Sequence, residues 1–352
     1  KYLMIKCKNI KGKKVSLIGG GGFIGHNMAL FLQKLGAEVT IIDSFQVNNF
    51  VSLIANSDNV ENPRLLLAIL NERLNLLLES GIKIKAVDAR DYQSVSAAIE
   101  TSKPNVIVHL AAISHSNRSN KDPFSTYDHS LRTLENSLDC YRDKLEHFIF
   151  FSSSMVYGNF KKDTVDEETH CDPIGIYGSL KFAAEKIIKS YNQVFNLPYT
   201  IIRPSALYGE RCISRRVGQI FIENALLGND IKINGDGKEK LDFTYIQDLV
   251  EGIATIIDNP KSKNNIFNMT YGKSRSINDL LEILKPSFPN LKVQYEKRDK
   301  LMPVRGTLSM DKAKTILGFE PRWGLDEGYK EYINWYKELF ESYKKTNKKN
   351  FL

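Results

Sequence analysis

VSLIGGGGFIGHNMALFLQKLG, residues 15–36, joins an apolar run to a helical pattern through a cluster of glycines. Val15 to Ile18 form a short apolar run of the kind that makes a buried strand, and from Phe23 apolar residues recur at helical spacing until Gly36 ends the pattern. Between them, Gly19, Gly22 and Gly25 are spaced GxxGxxG. Glycine permits the tight turn from strand to helix and lets the backbone approach a diphosphate, whose charge is favoured by the free N–H groups at a helix start. A second apolar run, EVTIID (38–43), closes on Asp43. A carboxylate at that place accepts hydrogen bonds from the adenosine ribose and repels a 2′-phosphate, which predicts NAD rather than NADP.

Working outward, further apolar runs follow at 82–88, 105–112, 147–153 and 199–203, with helical patterns between them. Strict alternation predicts an α/β fold, a doubly wound parallel sheet of the Rossmann type, over residues 13–203. One connection is oversized. Its second half, PRLLLAILNERLNLLLESG (63–81), opens on proline and closes on glycine with leucines at helical spacing, which predicts a helical insertion within about 45–81 packed on the body of the domain. A partner subunit or a flap over the cofactor are the alternative surfaces for its apolar stripe. Beyond residue 203 the elements shorten, which predicts a smaller mixed α/β substrate-binding domain over 204–340, with some elements returning to the first domain, then a basic tail over 341–352.

Of the 352 residues, 42% are hydrophobic and 10% aromatic, enough for a large core. No apolar run is long enough to span a membrane, and the N-terminal stretch lacks the apolar centre of a signal peptide. Cys7, Cys140, Cys171 and Cys212 are scattered, which predicts neither disulfides nor a metal site and fits the cytoplasm. The net charge of +8 is spread along the chain, so a solvated surface is expected rather than a nucleic-acid interface.

The chemistry is expected where FIFFSSSMVYG (148–158) ends an all-apolar strand in three serines, because open α/β sheets bind ligands at the carboxyl edge. IYGSLK (176–181) then places Tyr177 and Lys181 four residues apart on one helical face, where an ammonium would lower the phenol pKa and prepare it to act as a base.

The ordered set GGGGFIG, VHLAA, FSSSMVYG, YGSLK, RPSALYGE, GDGKEKLDFTYIQDLV and KAKTILGFEP resembles the extended short-chain dehydrogenase/reductase family, in particular its NAD-dependent nucleotide-sugar epimerases and dehydratases. The resemblance runs from about residue 13 to 337. It implies Ser153 as the catalytic serine, Tyr177 as the base and Lys181 as the group that tunes it and holds the nicotinamide ribose. Gly19, Gly22, Phe23, Ile24 and Gly25 match the diphosphate loop, Asp43 the adenosine ribose position, and Asp88 and Ala89 the adenine contact. Leu110, Ala111, Ala112 and Pro204 match the walls beside the cofactor. A nucleotide-diphosphate sugar would be the substrate, with Ser154 orienting the ring. Helices around 124–142 and 177–196 resemble those that form a four-helix homodimer interface.

The resemblance also narrows the reaction. The 4,6-dehydratases follow their catalytic threonine with an Asp-Glu pair, where this chain has Ser154 and Met155. A C4 epimerase is the first expectation, on a GDP-, CDP- or UDP-linked sugar. The alternatives are a C4 dehydrogenase or reductase, for example on a GDP-heptose, then a 4,6-dehydratase or a non-catalytic NAD-binding protein. The arginine that relatives place before DF is Leu241 here, so the substrate diphosphate needs another cation; Arg305 and Arg215 are selected from Arg215, Arg216, Arg298 and Arg305.

Overall fold

The computed structural model describes residues 7–55, 62–113, 116–299 and 301–346. Seven strands form one parallel sheet: β1 (Lys14–Ile18), β2 (Glu38–Asp43), β3 (Lys83–Ala86), β4 (Val106–His109), β5 (His147–Phe151), β6 (Tyr199–Arg203) and β7 (Asn265–Asn268). Their spatial order is β7-β6-β5-β4-β1-β2-β3. The order reverses between β1 and β4, the position at which a doubly wound sheet opens a crevice for a ligand.

Strand β5 shows why its sequence is apolar without alternation. Phe148 and Phe150 enter the core on one face and Ile149 and Phe151 the core on the other, and all four are buried. Truncating one of these aromatics to alanine would cost about 3–5 kcal/mol through lost contacts and the cavity left behind. The predicted helices are present: α1 (Phe23–Lys34), α2 (Pro63–Glu79), α3 (Tyr92–Ser102) and α4 (Gly175–Phe195).

Helix α2 is the insertion, and it packs on the body of the domain. Leu65, Leu66, Ile69, Leu70 and Leu77 are buried in the same core as Met28, Ala29 and Leu32 of α1. Beyond residue 203 come α5 (Val217–Leu227), α6 (Ile246–Asp258) and α7 (Leu325–Thr346), with short strand pairs between them. Strand β7 is supplied by this second part of the chain and pairs with β6, so the two halves are interleaved. Helix α7 continues to Thr346, past the expected start of the basic tail at 341. Its buried Tyr329, Tyr332 and Tyr336 carry an apolar stripe that continues the core and keeps the chain helical. Residues 347–352 of the expected tail lie outside the described residues.

Among the described residues, no helix is long and apolar enough to cross a membrane, no His, Cys, Asp and Glu cluster suits a metal ion, and all four cysteines are free.

Candidate active site

The glycine turn is built by three different contacts. Gly19 has φ +79°, and a Cβ there would stand 2.7 Å from the backbone N of Ala111. Gly25 packs so closely that its Cβ would be 2.5 Å from Gly20. At Gly22 the nearest atom to an added Cβ would be Gly19 O at 3.5 Å, so that methyl would point into an open pocket. The turn therefore needs glycine at 19 and 25 for the fold and at 22 for whatever enters the pocket.

This first pocket is lined by Gly19, Gly22, Phe23, Ile24 and Gly25 at the helix start, and by Asp43, Asp88, Ala89, Leu110, Ala111 and Ala112 at the strand ends. Asp43 accepts from Gly21 N at 2.8 Å through Oδ2 and from Phe45 N at 2.7 Å through Oδ1. Burial raises its pKa, while those two amides oppose the rise. Asp88 is held by Arg90 in a 2.6 Å ion pair, and its hydrogen bonds to that guanidinium lower its pKa. Ser44, Val47 and Asn48 also line the pocket, as do His129 and Thr133 from the other side of the sheet. These contributors were not selected from the sequence: Ser44, Val47 and Asn48 lie in a loop without recognisable spacing, and His129 and Thr133 lie on helical turns that carry no motif.

A second, larger cleft of about 450 Å³ begins where the first ends. Ser153, Ser154, Tyr177, Lys181, Pro204, Arg215 and Arg305 all line it, with a largely apolar wall that includes Leu241, Phe243 and Met302. The three serines have different tasks. Ser152 Oγ donates to Glu185 Oε1 at 2.5 Å, and Glu185 takes two bonds from Arg203, Nε at 3.0 Å and Nη2 at 2.7 Å. Arg203 also donates to Tyr157 Oη at 3.0 Å and Glu167 O at 3.2 Å. This buried, satisfied network is a rigid floor under the site. Ser153 caps the 3₁₀ turn Ser154–Tyr157, its Oγ accepting from Met155 N at 3.2 Å, and Ser154 faces the cleft.

The expected tuning of Tyr177 by Lys181 takes a different form. Burial raises the Tyr177 pKa, and the groups that oppose this are Arg216 and then a hydrogen bond from Ser153. Lys181 is itself buried, which lowers its pKa to about 7. Its Nζ donates to Phe151 O at 2.6 Å and lies 6.0 Å from the centre of the Tyr177 ring. Desolvation, which a sequence does not display, outweighs the charge of a lysine that is directed at a carbonyl.

Arg216 lines both pockets. Among the described residues, its buried Nε and that of Arg305 have no hydrogen-bond partner, so the cleft presents two guanidinium donors to an incoming anion. Arg215 also lines the cleft, with its Nη1 3.7 Å from Glu223. Arg298 is paired with Glu239 at 2.8 Å.

The model of the NAD dependent epimerase/dehydratase family matches residues 15–270. The chain belongs to that family. A putative UDP-glucose 4-epimerase of Methanocaldococcus jannaschii is 29% identical, with 92% of this chain and 98% of that protein covered. The UDP-glucuronate 4-epimerase of Thermodesulfobacterium geofontis is 28% identical, over 92% and 96%. The fold is that of the UDP-glucuronic acid 4-epimerase from Bacillus cereus solved with UDP-glucuronic acid and NAD: TM-score 0.81, 24% identity, 92% of this chain and 99% of the other covered. This family member is an NAD-dependent enzyme of the extended short-chain dehydrogenase/reductase class, as its motifs imply. The open space at Gly22, the Asp43 carboxylate and the unpartnered Arg216 Nε fit NAD in the first pocket.

Proposed function

We propose that the protein is a UDP-sugar 4-epimerase. One observation carries the reading: Ser153, Tyr177 and Lys181 line one cleft, which shares Ile24, Leu110, Ala112 and Arg216 with the adjoining cofactor pocket, while the turn after β5 offers Ser154 and Met155 in place of the carboxylates that elimination would need. Among the described lining residues of the cleft the carboxylates are Glu239 and Asp299, both from beyond residue 203, and Glu239 is already paired with Arg298. Relatives named as UDP-sugar 4-epimerases favour UDP over GDP or CDP.

In this reading NAD, when bound, accepts the C4 hydride and returns it. The chain's own residues do the rest. Tyr177 Oη, once ionised, takes the proton from the C4 hydroxyl, and Ser153 Oγ hydrogen bonds that oxygen and holds the 4-keto sugar. Lys181, on the same helical face as Tyr177, would hold the nicotinamide ribose of bound NAD. Arg216 and Arg305 take the diphosphate in place of the arginine replaced by Leu241, with Arg215 in support, and Pro204 and the apolar wall exclude water. A C4 dehydrogenase remains the alternative outcome of the same first step.

The direct test is incubation with UDP-glucose, UDP-glucuronate and UDP-N-acetylglucosamine, with proton NMR of the products. Interconversion of one C4-epimeric pair without added oxidant is expected. Accumulation of a 4-keto sugar with stoichiometric NADH would replace the epimerase by a dehydrogenase.

We also infer a homodimer through the 124–142 and 177–196 helices. Phe124 and Val194 there are 87% and 67% exposed, an apolar surface that a partner helix pair would cover. Sedimentation should give a dimer that Phe124→Glu with Val194→Glu converts to monomer; a wild-type monomer would exclude it. With four free cysteines, a reducing compartment such as the cytoplasm suits the chain.

A further inference from the structure

The second half of the chain reaches the cofactor pocket at one place. Among the described residues lining that pocket, only Ser214 and Arg216 come from beyond residue 203. Both lie on a segment, 209–217, that runs from the β-strand Leu207–Tyr208 to the start of α5 and also lines the substrate cleft. Its backbone is set by positive φ at Gly209 (140°), Arg211 (63°) and Arg215 (51°), so it is a tightly wound strap with two non-glycine residues in the left-handed region. That conformation needs side chains to hold it.

Arg211 supplies them. Its Nε donates to His26 Nε2 at 3.0 Å, its Nη2 to Asn27 Oδ1 at 2.8 Å and its Nη1 to Glu72 Oε1 at 3.2 Å. Its carbonyl accepts from Arg73 Nε at 2.8 Å and from Arg73 Nη2. Because His26 Nε2 accepts a hydrogen bond from Arg211, its Nδ1 carries the ring hydrogen and donates to Gly22 O at 2.8 Å, the carbonyl at the cap of α1. Burial, then the charges of Arg73 and Arg211, keep the pKa of this wholly enclosed imidazole well below its usual value, in agreement with that single tautomer. Glu72 also accepts from Trp335 Nε1 at 3.3 Å, which ties the insertion to α7. One guanidinium thus joins the strap, the diphosphate turn and the insertion helix.

We propose that Arg211, seated on His26, Asn27 and Glu72, is the clasp that holds the 209–217 strap closed over the cofactor, with the insertion helix α2 supplying half of its seat. Arg211, His26 and Glu72 are positioning residues: they act through Gly22, Ser214 and Arg216. The clasp makes NAD(H) slow to leave, and so keeps the cofactor in place between the two hydride transfers of one turnover. This rests on the epimerase reading for its purpose, but retention can be measured without any reaction.

The test uses the full chain, as wild type, Arg211→Gln and Glu72→Gln. NADH is loaded, and its release into excess NAD is followed by the loss of bound-NADH fluorescence, beside thermal unfolding of the NAD-free proteins. The off-rate should rise about tenfold or more in Arg211→Gln and by a smaller factor in Glu72→Gln, as expected when charge-assisted contacts are lost. The unfolding midpoint should move by no more than about 3 °C, because opening the strap is local. Off-rates within about twofold of wild type in both variants would overturn the clasp, as would faster release that merely follows global destabilisation. If Arg211→Gln does not fold, Glu72→Gln decides by the same criteria. A wild-type protein that binds no NADH would instead sink the functional reading itself.

Discussion

The cofactor pocket and the substrate cleft adjoin, yet they are made in different ways. The first is mostly backbone: a glycine turn whose Cβ positions are closed at 19 and 25 and open at 22, facing two strand-end carboxylates. The second is mostly side chains gathered from distant segments, with Arg216 and Arg305 set in an apolar wall. A site made of backbone specifies what nearly every NAD-dependent relative needs. A site made of side chains can be exchanged residue by residue, and there Leu241 stands where the family resemblance implies an arginine, so that Arg216 and Arg305 are proposed to take its place.

The largest effect is expected in the substrate cleft, at Tyr177. Tyr177→Phe should lower kcat by about 10³-fold or more, near the upper range for loss of a general base, while NAD affinity stays within about twofold. Turnover near wild type would remove the phenol from the chemistry.

The glycines separate fold from binding. Gly25→Ala should destabilise the NAD-free protein by about 1–3 kcal/mol, because its methyl meets the Gly20 backbone at 2.5 Å. Gly22→Ala should leave that stability unchanged and weaken NAD binding by about tenfold, since its methyl enters only the pocket. Equal losses of stability in denaturant titrations would show that the two glycines do the same work.

In the cleft, Arg305→Leu should raise KM for the UDP-sugar by about 10- to 100-fold with little change in NAD affinity, whereas Arg216→Leu, whose guanidinium lines both pockets, should weaken UDP-sugar and NAD together, the cost of losing one charge-assisted contact. An unchanged KM in either variant would remove that arginine from the substrate site.

The last prediction concerns pH dependence, spread over about three units. Lys181 has a folded pKa of about 7, below its unfolded value, so the unfolded chain binds the extra proton between about pH 7 and 10. Stability of the NAD-free protein should therefore rise with pH through that window, by at most about 1.4 kcal/mol per unit from this group. Lys181→Met removes the contribution, so its stability advantage should be greatest below pH 7 and shrink as pH rises. A constant difference in parallel denaturation curves would mean that the lysine is not penalised by burial.

The same contrast explains what the sequence made legible. That Gly19, Gly22, Gly25 and Asp43 lie at one pocket was readable because they share one strand-turn-helix-strand unit. Ser153, Tyr177 and Lys181 were readable because a strand end and one helical face hold them, and α2 because proline, leucines and glycine mark its ends. Arg216 was one candidate among four, since its place at the junction depends on a strap with two left-handed residues. Ser152 and Glu185, and the His26–Arg211–Glu72 clasp, join residues tens to hundreds of positions apart without a local pattern. The direction of the Tyr177 shift was missed for a related reason: neighbours in a helix can be counted from sequence, but the water they lose cannot.

The central claim is oxidation and return of hydride within one closed site, and it is tested most directly by absorbance near 340 nm on the NAD-loaded protein mixed with its UDP-sugar. The account predicts a rise of no more than one NADH per site that decays as the C4 epimer forms, and no rise in Tyr177→Phe. NADH that accumulates beyond one equivalent when NAD is added, with a 4-keto sugar in solution, would contradict it.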